Sequence, residues 1–546
     1  MNSKYAWFYR CFFIAVVCLA TIGTALKAQQ LVDSILFESD ISCGIDYMKN
    51  YESFKIVAIS YSGLLNLGQE VVGPSSGIDC MLICYDEDNQ MLWNVIASSG
   101  SNDQTTDVLI DTLYDRVFWS FLFWDAVTIG DSTVTVENGS RASLTVGIDI
   151  ATGLIDFFYK IEGNGQKRMT TSCIDTSGRL TLFGHYSGEI VLDDTVLSAN
   201  DNDRTMLLLQ FDKHDGPMTP LVKSYETTGQ CRPQTCVSDG QNIYVGGTIS
   251  GFVVVNNDTL RGRLLDTDIF LVKFDDDMRT SWYEVYSEVY NKSLTDMVFH
   301  AGELIVAGTF MGPLRFRDGL EIRTMGLNFD GFVAVIDADG FASFAHNITG
   351  NGFIENNRLY VQEDEITVTG NWTNGDLVFL NDTVTTSNFN SQGFVAQYNR
   401  SLQPLDIQII ETDGFVNSVW YDKTNRNTDV YALNFSQPFT VFDFTGSSQS
   451  AFAGYLLEFE PLPVGLDPLS EIVIEHIRVY PNPVHTVLYL DVDDQVEFTI
   501  IDIHGKIHGR GTAAGSIDVS HLIPQAYILQ LSKQGRPFHP QRIIKL

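Results

Sequence analysis

The sequence predicts an all-β protein, a seven-bladed β-propeller followed by a small antiparallel β-sandwich. Three observations carry this expectation. A β-rich run recurs at a fixed period, a second landmark keeps the same period independently, and a new strand pattern begins at Ile477 after a Pro-containing gap.

The first landmark is a large apolar residue at one register of runs such as LTLFGHYSGE, IYVGGTISGF and LIVAGTFMGP. It falls at Tyr61, Phe123, Tyr186, Ile249, Phe310, Trp372 and Phe435, with separations of 62, 63, 63, 61, 62 and 63 residues. The second is the polar residue ending a later strand: Asp86, Asp149, Asp212, Asp275, Asp337, Asn399 and Glu460, separated by 63, 63, 63, 62, 62 and 61. Chance does not hold two registers through seven repeats. Each unit has room for about four short strands joined by turn residues, as at Asn257-Asp258 and Asn381-Asp382, which suits propeller blades better than solenoid turns.

In chain order, residues 1–28 come first. They hold Lys4, Arg10 and Lys27, no acid, and an apolar run from Cys11 to Leu19 that passes into small residues, the pattern of a secretory signal peptide. Cleavage is expected after Ala25 or, preferably, Ala28. No later segment is long and apolar enough to be a transmembrane helix. Residues 29–462 form the propeller. Its seventh unit stops near Glu460 without a last strand, and residues 31–50 are expected to supply it, closing the ring and covering an open sheet edge. Residues 463–476 are the linker, and 477–546 form the sandwich, with Gly505, Gly509 and Gly511 at turns.

Charge is uneven. The chain carries −34; the leader has three Lys/Arg and no acid, and residues 470–546 hold seven Lys/Arg against eight Asp/Glu, so residues 29–469 carry −36. Such a field repels nucleic acid and anionic membranes and favours divalent cations or basic partners. No nucleic-acid partner is expected. Six cysteines lie beyond the leader, Cys43, Cys80, Cys84, Cys173, Cys231 and Cys236, and fifteen complete pairings are open to them.

The body repeat resembles the bacterial β-propeller repeat called SBBP. The resemblance rests on VGGTISG (245–251), DIFLVKFD (268–275) and Trp282, and on VAGTFMG (306–312), DGFVAVID (330–337) and Phe344. Units one, two and seven carry Ile59, Phe121 and Leu433 in place of the first glycine. In the tail, Tyr480-Pro481-Asn482-Pro483, the turn Asp502-x-x-Gly505-Lys506, Asp518 with Leu522, Tyr527 and Lys545 together resemble the type A C-terminal sorting domain of the type IX secretion system of Bacteroidota. Gln525 stands where that family usually has glycine. The resemblance implies passage through Sec and then type IX export, with that machinery as a partner and a secreted or outer-surface location for the body.

Two sets of residues are candidates for chemistry. Asp86 and Asp88, Asp275 and Asp277, and Asp337 and Asp339 offer hard oxygens for Ca²⁺ at one recurring corner, where turn geometry alone also favours Asp. Asp-Thr-Val/Leu triplets at Asp111, Asp194, Asp258 and Asp382 resemble a Bacteroidota O-glycosylation acceptor, and hairpin turns account equally for the last three. His185, His214, His300 and His346 fall in no metal-binding spacing, with His185 expected to serve packing or a turn. There is no nucleophile elbow, phosphate-binding loop or His-Glu-x-x-His, and no other cofactor is expected. The expected function is non-catalytic binding of protein or glycan through blade loops. The alternative is a glycan-active hydrolase or lyase, which predicts acidic and basic side chains converging on a pocket at one channel mouth.

Overall fold

The computed structural model describes residues 29–461 and 479–546, apart from 68–70, 137–139, 213–218, 325, 380–381, 386–389, 427, 443, 449, 481–483, 491–494, 503–506, 525, 534–535, 538–540 and 546. The expected signal peptide and linker lie outside the described residues. Two compact units divide after Pro461.

The first unit is the propeller. Blade 1 consists of Ser42–Tyr51, Phe54–Asn66, Val71–Tyr85 and Met91–Ser99, running from the axis outward and joined antiparallel. Blades 2 to 6 repeat the order, starting from innermost strands Gln104–Asp111, Lys167–Ile174, Thr227–Ser238, Lys292–His300 and Phe353–Gln362. Blade 7 is built from Val416–Lys423, Asp429–Phe435 and Ala453–Pro461. Each innermost strand packs against the next, and that of blade 7 against that of blade 1, so the ring is closed.

Closure is made by the N-terminal strand Gln29–Ser39, which pairs antiparallel with Ala453–Pro461 from Gln29 opposite Pro461 to Phe37 opposite Gly454. The expected closing segment, 31–50, is therefore two elements. Its second half pairs with Phe54–Asn66 as the innermost strand of blade 1. The chain changes blades at Asp40, whose backbone N–H donates to the Leu64 carbonyl at 3.1 Å while its carboxylate accepts from the Leu64 N–H at 2.7 Å.

Between the second and third strands, most blades carry a short hairpin that reaches the outermost strand of the preceding blade. Ile129 pairs with Ala97, Val378 with Thr349, and Thr440 with Glu411. Sheet edges are thereby covered by the neighbouring blade. The seven register residues found in the sequence, Tyr61 to Phe435, are at most 2 % exposed and close each second strand against the core. Outer tryptophans tie blade to blade: the Trp93 indole N–H donates to the Ile150 carbonyl at 2.7 Å, and that of Trp282 to Ala338 at 2.9 Å.

One irregularity recurs in all seven innermost strands and positions the axis. The register slips by one residue between Ile45/Tyr47, Thr105/Asp107, Met169/Thr171, Pro233/Thr235, Leu294/Asp296, Asn356/Arg358 and Val416/Ser418. A bulge increases twist and re-aims side chains. In blades 3 to 6 the repeat glycine of the second strand sits against this point. A Cβ on Gly184, Gly247, Gly308 or Gly370 would come within 2.1–2.3 Å of the carbonyl of Arg168, Arg232, Ser293 or Glu355. The close approach of the two backbones is why glycine recurs there.

The second unit has two sheets. Val479–Tyr480, Val487–Leu490 and Ser516–Asp518 form one, and strands led by Val496–Asp502 and Ala526–Lys533 the other. Leu488 and Ile517 from the first share a core with Ile500, Tyr527 and Leu529 from the second, which makes a sandwich.

Candidate functional site

The start of the innermost strands opens onto a cavity of about 1240 Å³ at one mouth of the channel, lined by residues from blades 2 to 7. The lining is cationic in a unit that is otherwise acidic. Arg141, Lys167, Arg168, Arg204, Arg232 and Arg358 line it, and Glu355 is its one acid among the described residues.

Repetition places four of these guanidinium groups. Arg168 and Arg232 each stand two residues before the bulge position of their strands, in blades 3 and 4. Arg141 opens the third strand of blade 2, Arg141–Asp149, and Arg204 immediately precedes that of blade 3, Thr205–Phe211. The Arg204 backbone N–H donates to the Gly229 carbonyl at 2.8 Å, and the Cys231 N–H to the Arg204 carbonyl at 2.9 Å, which fixes Arg204 beside the strand that carries Arg232. The four cations thus gather on one arc of the ring.

Their electrostatics are unfavourable as they stand. Burial and the charges of Arg141 and Arg232 push Arg168 below its ordinary range, and burial with Arg204 does the same to Arg232. No carboxylate is among the groups acting on these two. Burial lowers Arg141 as well, offset in part by Asp103, and its guanidinium lies 6.0 Å from the centre of the half-exposed Trp124 ring. The Nε–H groups of Arg141 and Arg168 are buried without a hydrogen-bond partner. His185, one residue past Gly184, is driven down to about 3 by burial and by Arg232, Arg168 and Arg204, so its imidazole is neutral at physiological pH. The expected packing role for His185 misses this setting. Lys167 differs: it is 5 % exposed, and its ammonium donates to the carbonyls of Gly163 and Gly165 at 2.5 and 2.9 Å, so it braces the loop.

Farther along the channel carboxylates take over. Asp107 is raised to about 7 by burial, against the Ser172 hydroxyl that donates to it and the charge of Arg358. Asp46 is raised to about 6 by burial, and Asp296 upward, again with Arg358 as the opposing charge. Arg358 therefore stands between the cationic mouth and an acidic interior.

The sequence did not single out the arginines, although its repeat held a signal. Arg141 and Arg204 are 63 residues apart, which equals the blade period, and Arg168 and Arg232 are 64, one residue more. Cations recurring at that period must share a radius and a height on the ring.

The acidic corners are turns. Asp86, Asp275 and Asp337 each use Oδ1 to accept two backbone N–H groups, from Asp88 and Gln90, Asp277 and Arg279, and Asp339 and Phe341, at 2.7–3.0 Å. Asp88 pairs with Arg426 and Asp277 with Arg279. Among the described residues no three His, Cys, Asp or Glu lie close enough together to hold a metal ion. Thr195, Thr259 and Thr383 lie in the second strands of short hairpins, at their turn ends. The His300 ring nitrogen meets the Glu363 carbonyl at 2.9 Å, and His346 packs edge-on against Tyr398; His214 lies outside the described residues. The six cysteines are buried and unpaired, with Cys173 and Cys236 neighbours across blades 3 and 4.

In the tail, Leu522 is buried, and the buried Tyr527 donates its hydroxyl to the Ile523 carbonyl at 3.1 Å. Asp518 caps its turn by accepting the Ser520 N–H at 2.8 Å, and Lys545 is bridged in parallel to Val484. The backbone of Tyr480 pairs with Tyr489, while Pro481, Asn482, Pro483, Gly505 and Lys506 lie outside the described residues. No helix among the described residues is long and apolar enough to cross a membrane.

Among solved structures, the extracellular region of plexin A4 matches at 9 % identity and TM-score 0.31, covering 81 % of this chain and 52 % of its own. The chain thus spans about half the length of that plexin. Domains 1–2 of Drosophila semaphorin 1b match at 8 % identity and TM-score 0.32, covering 76 % of this chain and 87 % of its own. No curated protein matches the sequence. Residues 478–545 match the family of secretion system C-terminal sorting domains, and the chain is cargo of the type IX secretion system, exported to the cell surface or the extracellular space.

Proposed function

We propose that the exported propeller is a non-catalytic binding module that receives a glycan or a protein segment in the cationic mouth of its channel. The observation that carries this reading is the cavity of about 1240 Å³ in which side chains from six blades converge. Strands are occupied in packing, so recognition on a rigid ring falls to the residues at its mouth. The likeness of the blades to SBBP repeats, and retention at the outer surface, belong to the same reading.

A second reading has one observation in its favour. Glu355 and the neutral His185 open on the cavity that holds the arginines, which is the convergence a glycan lyase requires. Hydrolysis by paired carboxylates fits less well, because the lining offers one acid among the described residues. The test is binding of the purified protein to a broad glycan and host-matrix array, with reaction products assayed in the same wells. Retained ligand without product supports the binding module. Product release that is lost in Glu355→Gln or His185→Ala moves the assignment to the enzyme.

A further inference from the structure

Resting on that reading, we infer that the ligand of the channel mouth is an acidic oligosaccharide, bearing carboxylate or sulfate groups, held by Arg141, Arg168, Arg204 and Arg232. The first ground is charge. Of the 34 Lys and Arg, three lie in the leader and seven in the tail, leaving 24 in a body of charge −36; six of those line this one cavity. Like charges gathered at a site where six cations face one acid repel one another and lose hydration. An anionic ligand reverses both costs, and the planar guanidinium fork matches carboxylate and sulfate oxygens two at a time.

The second ground is hydrogen bonding. Buried Nε–H donors on Arg141 and Arg168 and the buried Nδ1 of His185 have no partner in the protein. Buried polar groups in native proteins are nearly always satisfied, so these are groups that an occupant would meet. Arg204 is already oriented by the Ser187 hydroxyl and by the Asp203 carbonyl, to which it donates at 3.4 and 3.1 Å.

The third ground selects a sugar over other anions. The remainder of the lining is hydroxyl and amide, including Asn164, Gln166, Thr170 and Gln234, with Trp124 and Trp420 as aromatic surfaces. Trp124 is 39 % exposed beside Arg141, able to take the apolar face of a ring while the guanidinium meets its acid group. The volume exceeds the ~300–1,000 Å³ of ordinary small-molecule pockets and suits several linked rings. A long polyanion such as nucleic acid would have to approach through the field of the acidic body. Acidic interior groups around Asp107 and Asp296 limit how far an anion descends, so the ligand is held at the mouth.

The deciding experiment is calorimetric titration of the full chain with four probes of matched length: a hexuronate tetrasaccharide, a sulfated hexose tetrasaccharide, a neutral hexose tetrasaccharide and a tetraglutamate peptide. One or both acidic sugars should bind at least roughly tenfold more tightly than the neutral sugar and the peptide. The two acidic arms separate carboxylate from sulfate recognition. Arg168→Gln with Arg232→Gln should weaken the acidic sugar by at least roughly tenfold, and Glu355→Gln should strengthen it. Should the first pair fail to fold by circular dichroism, Arg141→Gln with Arg204→Gln carries the same test. Neutral sugar bound as tightly as acidic sugar overturns the ligand class and leaves the binding module standing. Equal capture of the peptide overturns the choice of sugar, and silence with all four probes overturns the inference outright. Cleavage of a probe during titration overturns the non-catalytic reading, with the charge preference still measured by the variants.

Discussion

Lys292 has no exposed surface, yet its ammonium is well satisfied. It donates to the carbonyls of Glu288, Val289 and Tyr290 at 2.6, 3.2 and 3.1 Å, at the point where the chain enters the innermost strand of blade 5. Lys167 braces the corresponding loop of blade 3 in the same way. A buried ammonium is tolerated only where its donors are matched, and here each lysine replaces the missing backbone partners of a tight loop. Lys292→Ala leaves three carbonyls without their donor and is expected to lower stability by about 2 kcal/mol, read from the shift of a urea unfolding curve. No shift would mean that water supplies the same hydrogen bonds. The arginines of the mouth are of the opposite kind. The Nε–H donors of Arg141 and Arg168 are unmatched within the protein, which is the mark of a side chain held for something else.

At the scale of elements, the ring depends on a strand brought from the other end of the sequence. Gln29–Ser39 covers the edge of Ala453–Pro461 and inserts Phe37, which is fully buried, into the core shared by blades 7 and 1. Next to it the buried ion pair of Lys55 and Glu458 joins the second strand of blade 1 to the third of blade 7. Deleting residues 29–39 strips that edge and exposes the pair to water. The body is expected to lose its cooperative melt and to aggregate through the open edge, as followed by near-ultraviolet circular dichroism and light scattering. A truncated protein that melts at the original temperature would show that the ring closes without this strand. The short hairpins that link blades 2, 6 and 7 to the blades before them act in the same sense, since an element paired outside its own blade makes the blades melt together.

Across the whole molecule, buried acids set the response to pH. Burial raises Asp103 and Asp107 to about 7 and Asp46 and Asp268 to about 6. Between the ordinary carboxylate range and those values the folded state holds more protons than the unfolded chain, so stability falls as pH rises through that window. His185 and His346, lowered by burial, act the other way below about pH 6.5, because the unfolded chain takes up protons that the folded chain refuses. The carboxylates outnumber them, and relief of the net negative charge adds in the same direction. The midpoint of thermal unfolding is therefore expected to be higher at pH 5.5 than at pH 8, and Asp107→Asn should flatten the dependence. A midpoint that rises steadily toward pH 8 would show that these acids are hydrated in solution.

The sequence by itself determined the number of blades, the register of their second strands and the sorting module. The reason is that each blade presents the same faces to its neighbours, so the residues that fill those faces return at one interval and remain visible in one dimension. Even the closing strand was found, although Ser42–Tyr51 had been joined to it, because the end of one blade and the start of the next are contiguous in every repeat. Only the tertiary structure decided the site. Asp86 and Asp88, close in sequence, suggested a cation, but Oδ1 of Asp86 accepts two backbone N–H groups of its own turn, and among the described residues no three His, Cys, Asp or Glu gather as a metal site. Arg141, Arg168, Arg204 and Arg232, scattered over 92 positions, looked like ordinary surface cations in an acidic chain. A site that draws its arginines from three blades has no local pattern, and it comes into being when the ring closes and brings those residues to the lining of one cavity.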